Sequence, residues 1–126
     1  MVEVEAPEER IPLDARVEEN LYRVAQEALH NVVKHAGAKS VIVRVQPKLN
    51  GRLVVEIEDN GVGFDPATVP PGHLGVGTMA ERLSQVGGEL EILSTPGQGT
   101  TVRATVPYAV VETMAEPVAQ VTSTGA

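Results

Sequence analysis

The strongest constraint in this sequence is a change of apolar period. Val17, Leu21, Val24, Ala25, Ala28, Leu29, Val32 and Ala36 recur at spacings of three and four, the pattern of a helix of about six turns that buries one stripe. Later apolar runs mostly alternate at two. Val41, Val43 and Val45 form one such set, and Leu53, Val55 and Ile57 a second, with Glu56 and Glu58 facing the other way. Glu89 to Ser94 and Thr100 to Val106 alternate in the same manner, as strands with one buried face do. A long amphipathic helix and two pairs of half-buried strands close a core most simply as helix laid on sheet.

The punctuation agrees. Asp14 stands where a helix N-cap belongs, with Glu18 and Glu19 early in the helix and Gly37 at its end. Asn50-Gly51 is a hairpin signal between the second and third strand runs, which should pair antiparallel. Val2 to Glu5 alternates apolar and acidic residues and reads as an edge strand ended by Pro7. Thr78-Met79-Ala80-Glu81 has the form of a capping box, with Thr78 as N-cap. Met79, Leu83 and Val86 give the short helix that follows its stripe, and Gly87-Gly88 stops it. Thr95-Pro96-Gly97-Gln98-Gly99 joins the last two strands. The expected fold class is α+β, a two-layer sandwich of helices on one face of a mostly antiparallel sheet.

A length of 126 residues suits one domain. Tyr22, Phe64 and Tyr108 are its only aromatics, so the core rests on Val, Leu, Ile and Ala. Cysteine is absent, which excludes a disulfide framework, a thiolate nucleophile and a zinc–thiolate site. The formal charge is -7 with no basic cluster, so nucleic acid is not an expected partner. No apolar run approaches the ~20 residues of a membrane helix, and Met1 opens no signal-peptide pattern. The chain reads as cytoplasmic, with any membrane anchor lying outside it. Residues 1–107 are expected to form the domain and 108–126 a tail that frays after about residue 112.

Two places carry chemistry. Glu27, Asn31, Lys34 and His35 lie at i, i+4, i+7 and i+8 and share a helix face. Spacing alone favours a plain solvated face. An amide oxygen near a carboxylate also suits Mg²⁺, which takes few protein ligands and completes its shell with water and phosphates. Lys34, one turn on, can meet phosphate oxygens. The second place is Asp59-Asn60-Gly61-Val62-Gly63-Phe64, at a strand end. A carboxylate there can accept from the exocyclic amine of adenine, where guanine offers only an oxygen. By itself the segment more often describes a plain Asn-Gly turn. It opens a stretch to Gly77 rich in glycine and proline, a length associated with functional loops. No GK[ST] occurs and Gly61-x-Gly63 lacks a third glycine, which excludes a P-loop and a dinucleotide fingerprint. Gly75-Val76-Gly77 reads as a lid whose backbone N–H groups meet phosphates.

In this order the elements resemble the ATPase domain shared by histidine kinases, gyrase-type topoisomerases, mismatch-repair ATPases and a heat-shock chaperone. Within that group they look like sensor histidine kinases of the nitrate-sensor and desaturase-sensor type. The stretches that carry the resemblance are Leu21 to Asn31 running on to Lys34-His35-Ala36, Asp59 to Pro66, Gly75 to Arg82, Gly87-Gly88, and Ser94 to Thr100. It covers roughly residues 1–107 and implies the Bergerat ATP-binding fold with a glycine-rich lid.

The resemblance implies roles for individual residues. Asn31 matches the magnesium-binding asparagine, and Glu27 the acidic residue that accepts or orients the proton of the attacking group. Lys34 and His35 fall at phosphate contacts. Asp59 matches the adenine-recognising aspartate, with Gly61 and Gly63 lining its pocket. Gly75, Gly77 and Thr78 fall in the ATP lid, and Thr100 or Thr101 matches the hydroxyl near the adenine-bound water. Val76 departs from the usual leucine but keeps apolar character.

The implied activity is transfer of the γ-phosphate of Mg-ATP to a histidine on a dimerisation domain, and onward to a response regulator. His30, His35 and His73 do not match that acceptor, so the chain is expected to bind ATP without phosphorylating itself, as a monomer whose full-length parent is a homodimer. A serine kinase of the anti-sigma-factor type and a non-catalytic nucleotide-sensing module are the alternatives.

Overall fold

The computed structural model describes residues 2–68 and 73–108. Strand β1 (Val2–Glu5) leads to helix α1 (Ala15–Asn31), which continues as one wide π turn over Val32–Ala36. Strands β2 (Val41–Pro47) and β3 (Arg52–Asp59) follow, then short 3₁₀ turns at Pro66–Thr68 and His73–Gly75. Helix α2 (Val76–Ser84) and strands β4 (Glu89–Ser94) and β5 (Thr100–Pro107) complete the domain. Of the expected tail, residues 108–126, only Tyr108 is among the described residues: its N–H donates to the Gly51 carbonyl at 2.7 Å and it packs against the core. The side chain of His73 also lies outside the described residues.

Local chemistry sets most boundaries. The Asp14 carboxylate caps α1 by accepting from the Arg16 backbone N–H at 2.9 Å. At the other end Gly37 adopts a left-handed φ of 60°, a conformation that costs other residues a Cβ clash. The π turn before it was not read from the periodicity. It inserts extra backbone into the last turn, and Val33 is left 85% exposed.

The strands form one sheet in the order β1-β2-β3-β5-β4. β1 pairs parallel with β2, and the other three pairings are antiparallel. Side chains on one face pack under the two helices. Leu53, Val55 and Ile57 of β3 and Val102, Ala104 and Val106 of β5 are buried there against Leu21, Val24 and Ala28 of α1 and Met79 and Leu83 of α2. Complete burial of residues such as Leu53 and Leu83 contributes about 1.5–3 kcal/mol each. This is the α+β two-layer sandwich expected.

The opposite face carries a row of alternating charge across all five strands. In register it runs Glu5, Arg44, Glu56, Arg103, Glu91. Arg103 donates to Glu56 at 2.6 Å and to Glu91 at 2.7 Å. Arg44 donates to Glu5 at 3.1 Å and, diagonally, to Glu58 at 2.6 Å. Hydrogen bonding to Glu58 is the main cause that holds the Arg44 pKa above its ordinary value, and bonding to Glu56 does the same for Arg103.

One expectation is corrected. Thr78 does not cap α2: the helix begins at Val76, its cap residue is Gly75 with φ 70°, and no side chain caps it. Thr78 lies exposed in the first turn. Leu74 (φ 63°) and Gly75 are consecutive left-handed residues, and they turn the chain early enough for Val76 to reach the core. The C-terminal end is as read. Gly87 has φ 75°, and the Gly88 N–H donates to the Leu83 carbonyl at 2.7 Å.

Candidate functional site

Register places three polar side chains in one row at the end of the helix-covered sheet face. Asp59 of β3 pairs with Thr100 of β5, and Thr100 with Ser94 of β4. Alternation along β5 then turns Thr101, beside Glu58, to the opposite face. The Asp59 carboxyl residue is only 7% exposed. One carboxylate oxygen accepts the Gly61 N–H at 2.8 Å. The other meets no donor among the described residues.

Above this row is a cavity of about 230 Å³, lined by Asn31 and His35 from α1 and the π turn, Asp59 and Thr100 from the sheet, and Gly63 and Leu74 from the loops. The remainder of its wall is aliphatic apart from Phe64 and Met79. A small polar edge in an apolar slot is the usual character of a site for a flat heterocycle.

The loop wall is held against the β4–β5 turn. A Cβ on Gly63 would lie 2.1 Å from the Thr95 carbonyl oxygen, and one on Gly99 would lie 2.1 Å from that of Asp59. Both residues have positive φ, so glycine is needed twice over. The Gly97 N–H donates to the Val62 carbonyl at 2.6 Å. Asn60 faces away from the cavity, accepting from the Lys39 and Ser40 backbone N–H groups at 2.9 and 3.0 Å.

Two contacts tie the start of the lid to α1. The Asn31 side-chain amide donates to the Leu74 carbonyl at 2.7 Å, which leaves its oxygen as the group available to a cation or ligand. Gly75 packs on Glu27, where an added Cβ would lie 2.7 Å from a carboxylate oxygen. Among the described residues no three His, Asp or Glu side chains converge as a metal site.

The structure therefore brings Asn31, His35, Asp59, Gly63 and Thr100 to one cavity. Glu27 and Thr78 line a neighbouring groove between the helices with Arg23, His30 and Arg82. Gly61 lines a shallow recess with Lys39 and Gly97, and Thr101 a hollow beyond Ser94. Lys34 and Gly77 are exposed and outside the cavity wall. Two participants escaped sequence reasoning. Ser94 is a hydroxyl in the inward phase of β4, after Leu90 and Ile92, and that polar break was a usable signal. The Leu74 carbonyl is backbone and left no signal.

Residues 16–110 match the model of the histidine kinase-, DNA gyrase B- and HSP90-like ATPases. The chain belongs to this ATPase family. It is 41% identical over 91 residues to the sensor histidine kinase LiaS of Bacillus subtilis (strain 168), covering 72% of this chain and 25% of that protein. It is 36% identical over 92 residues to the nitrate/nitrite sensor protein NarQ of Escherichia coli (strain K12), covering 73% of this chain and 16% of that one. The histidine kinase domain of the blue-light activated histidine kinase of Erythrobacter litoralis EL346 superposes with a TM-score of 0.73 at 25% identity, over 85% of this chain and 51% of that structure. The chain thus spans a quarter or less of these curated relatives' length. It is an ATPase-family domain similar in sequence to the corresponding part of sensor histidine kinases, and no helix among its described residues is long and apolar enough to cross a membrane.

Proposed function

We propose that this domain holds Mg-ATP for in-line transfer of the γ-phosphate to a histidine presented by a separate dimerisation domain, from which an aspartate of a response regulator takes it. The observation that carries the reading is the buried Asp59 carboxylate, with one oxygen tied to the Gly61 N–H and the other left for the cavity. That acceptor suits the adenine amine and opposes the guanine oxygen. With the base at Asp59 and Thr100, the phosphates run toward Asn31 and His35, with Lys34 and the Gly75–Thr78 segment outside them.

Asn31 fits a Mg²⁺ ligand, because the amide nitrogen is spent on Leu74 and the hard oxygen is free. The cation, when bound with the nucleotide, offsets phosphate charge in an acidic domain. Glu27 lies one helical turn before Asn31, against the lid, where it can take or orient the second ring proton of the attacking imidazole. Positioning and charge stabilisation are what such a transfer asks of the protein. The domain works on the cytoplasmic side, alone as a monomer and within a homodimer when joined to its dimerisation helices.

Calorimetric titration with ADP and a non-hydrolysable ATP analogue, with and without Mg²⁺, tests the pocket against Asp59→Asn. Adenine-selective binding that Mg²⁺ strengthens and the variant loses is expected. Glu27→Gln should keep nucleotide binding and lose transfer to a supplied histidine-bearing domain. Transfer that survives this substitution removes Glu27 from the mechanism, and phosphorylation of a serine substrate would favour the anti-sigma-factor type of kinase instead.

A further inference from the structure

We infer that Ser94 sets the base specificity of the cavity by fixing the direction of the Thr100 hydroxyl hydrogen. The inference rests on the adenine reading above and adds a residue to it.

Ser94 is the centre of a small network. Its Oγ accepts the Phe64 N–H at 2.9 Å, lies 3.1 Å from the Gly99 carbonyl oxygen, and lies 2.7 Å from the Thr100 Oγ1. A serine hydroxyl has one hydrogen and two lone pairs. A carbonyl can only accept, so the Ser94 hydrogen goes to Gly99. Phe64 occupies one lone pair, and the other is left for Thr100, which must therefore donate. This arrangement satisfies every member. The reverse arrangement, Ser94 donating to Thr100, forfeits the bond to the carbonyl of Gly99, a buried residue, and leaving such a group unmade costs about 1–3 kcal/mol.

With its hydrogen committed to Ser94, Thr100 faces the cavity with lone pairs alone. Beside it across the β3–β5 pairing stands Asp59, whose free oxygen is also an acceptor. The polar edge of the cavity is then a pair of acceptors with no donor between them. An exocyclic amine brings two hydrogens to that edge. A 6-oxo purine brings an oxygen in place of the amine, and its one edge hydrogen, on N1, cannot serve both acceptors. A Thr100 hydroxyl free to rotate would instead offer its hydrogen to that oxygen and relax the discrimination. Ser94 reaches the ligand only through Thr100, so it is a positioning residue.

The experiment compares ADP with IDP, which differ in the 6-substituent of the base and in the hydrogen carried on N1, by calorimetry on the wild type, Ser94→Ala, Ser94→Thr and Thr100→Val. Ser94→Ala should lower the ADP-to-IDP affinity ratio by about tenfold, the scale of one hydrogen bond, partly through a gain in IDP binding. Ser94→Thr keeps the hydroxyl and should keep the ratio. Thr100→Val also lowers the ratio with Ser94 intact, and adding Ser94→Ala to it should lower the ratio no further. Parallel weakening of both nucleotides in Ser94→Ala, with the ratio unchanged, would mean that Ser94 only braces the loop, and the inference fails. A wild type without ADP preference, or a preference that survives Asp59→Asn, overturns the adenine reading itself and this inference with it.

Discussion

Gly75→Ala separates stability from chemistry at the lid. Gly75 has φ 70°, and a Cβ there would meet the Glu27 carboxylate oxygen at 2.7 Å and its carbon atoms at 2.9 Å. A left-handed backbone costs a residue with a Cβ roughly 1–2 kcal/mol. The steric conflict adds little to that, because the carboxylate is the far end of a flexible side chain and swings aside. At about 4–8 °C per kcal/mol for a domain near this size, the melting temperature should fall by roughly 5–15 °C. Displacing the proposed base has the larger effect. General base catalysis contributes about 10²–10⁴-fold, so transfer to a supplied histidine-bearing domain should drop at least about tenfold while ADP binding stays within a few-fold. Gly77→Ala is the control: nothing lies within 4 Å of its added Cβ, and replacing a helical glycine should stabilise the domain by about 0.5–1 kcal/mol. Thermal unfolding followed by circular dichroism, with labelled phosphate transfer, reads both quantities. Wild-type melting together with full transfer in Gly75→Ala would show that the Leu74-Gly75 turn is not seated on Glu27, and the reasoning would fail.

Gly63→Ala should behave differently, since its Cβ meets backbone, the Thr95 carbonyl oxygen at 2.1 Å. Nothing there can swing aside, so nucleotide binding and the thermal transition should both be lost or strongly reduced, as measured by calorimetry and melting. Leu53→Ala, at a residue 1% exposed, should cost about 2–5 kcal/mol in denaturant unfolding with little change in ADP affinity relative to the folded fraction. Glu56→Gln removes the central anion of the charged row, whose Arg103 partner lies at 2.6 Å. A loss near 1 kcal/mol that shrinks as salt is raised is expected from denaturant titrations at two ionic strengths.

Much of the fold was legible because two periodicities and a few turn residues each had one compatible arrangement. The apolar phases of β3 and β5 name the buried residues, Asp14 and Gly37 mark the helical segment's ends, and Asn50-Gly51 marks the first hairpin. The misreading at Thr78 has a physical cause. Thr-x-x-Glu satisfies a local rule, but burial of Val76 outweighs a surface cap and draws the helix start back to Gly75. The π turn was hidden because one inserted residue barely disturbs a count of threes and fours. At the site, Asp59 and Asn31 were recognisable by type and place. Choosing Thr100 over Thr101 required the strand's phase, which the register with Asp59 supplies. The Asn31–Leu74 contact joins residues 43 apart through a backbone carbonyl, and no pattern of side chains encodes it.

The row Glu5, Arg44, Glu56, Arg103, Glu91 also bears on how the domain is felt at a distance. Neighbouring charges of opposite sign cancel one another's field within roughly one Debye length, about 8–10 Å in physiological salt. The cancellation here is partial: three glutamates face two arginines in the row, and Glu3, Glu58 and Glu89 share its outward phase, so the sheet face keeps a net negative field. Long-range steering at this face therefore favours a cationic partner over an anionic one. A basic partner nearing the sheet thus enters an attractive potential before it touches anything, and an acidic one is turned aside.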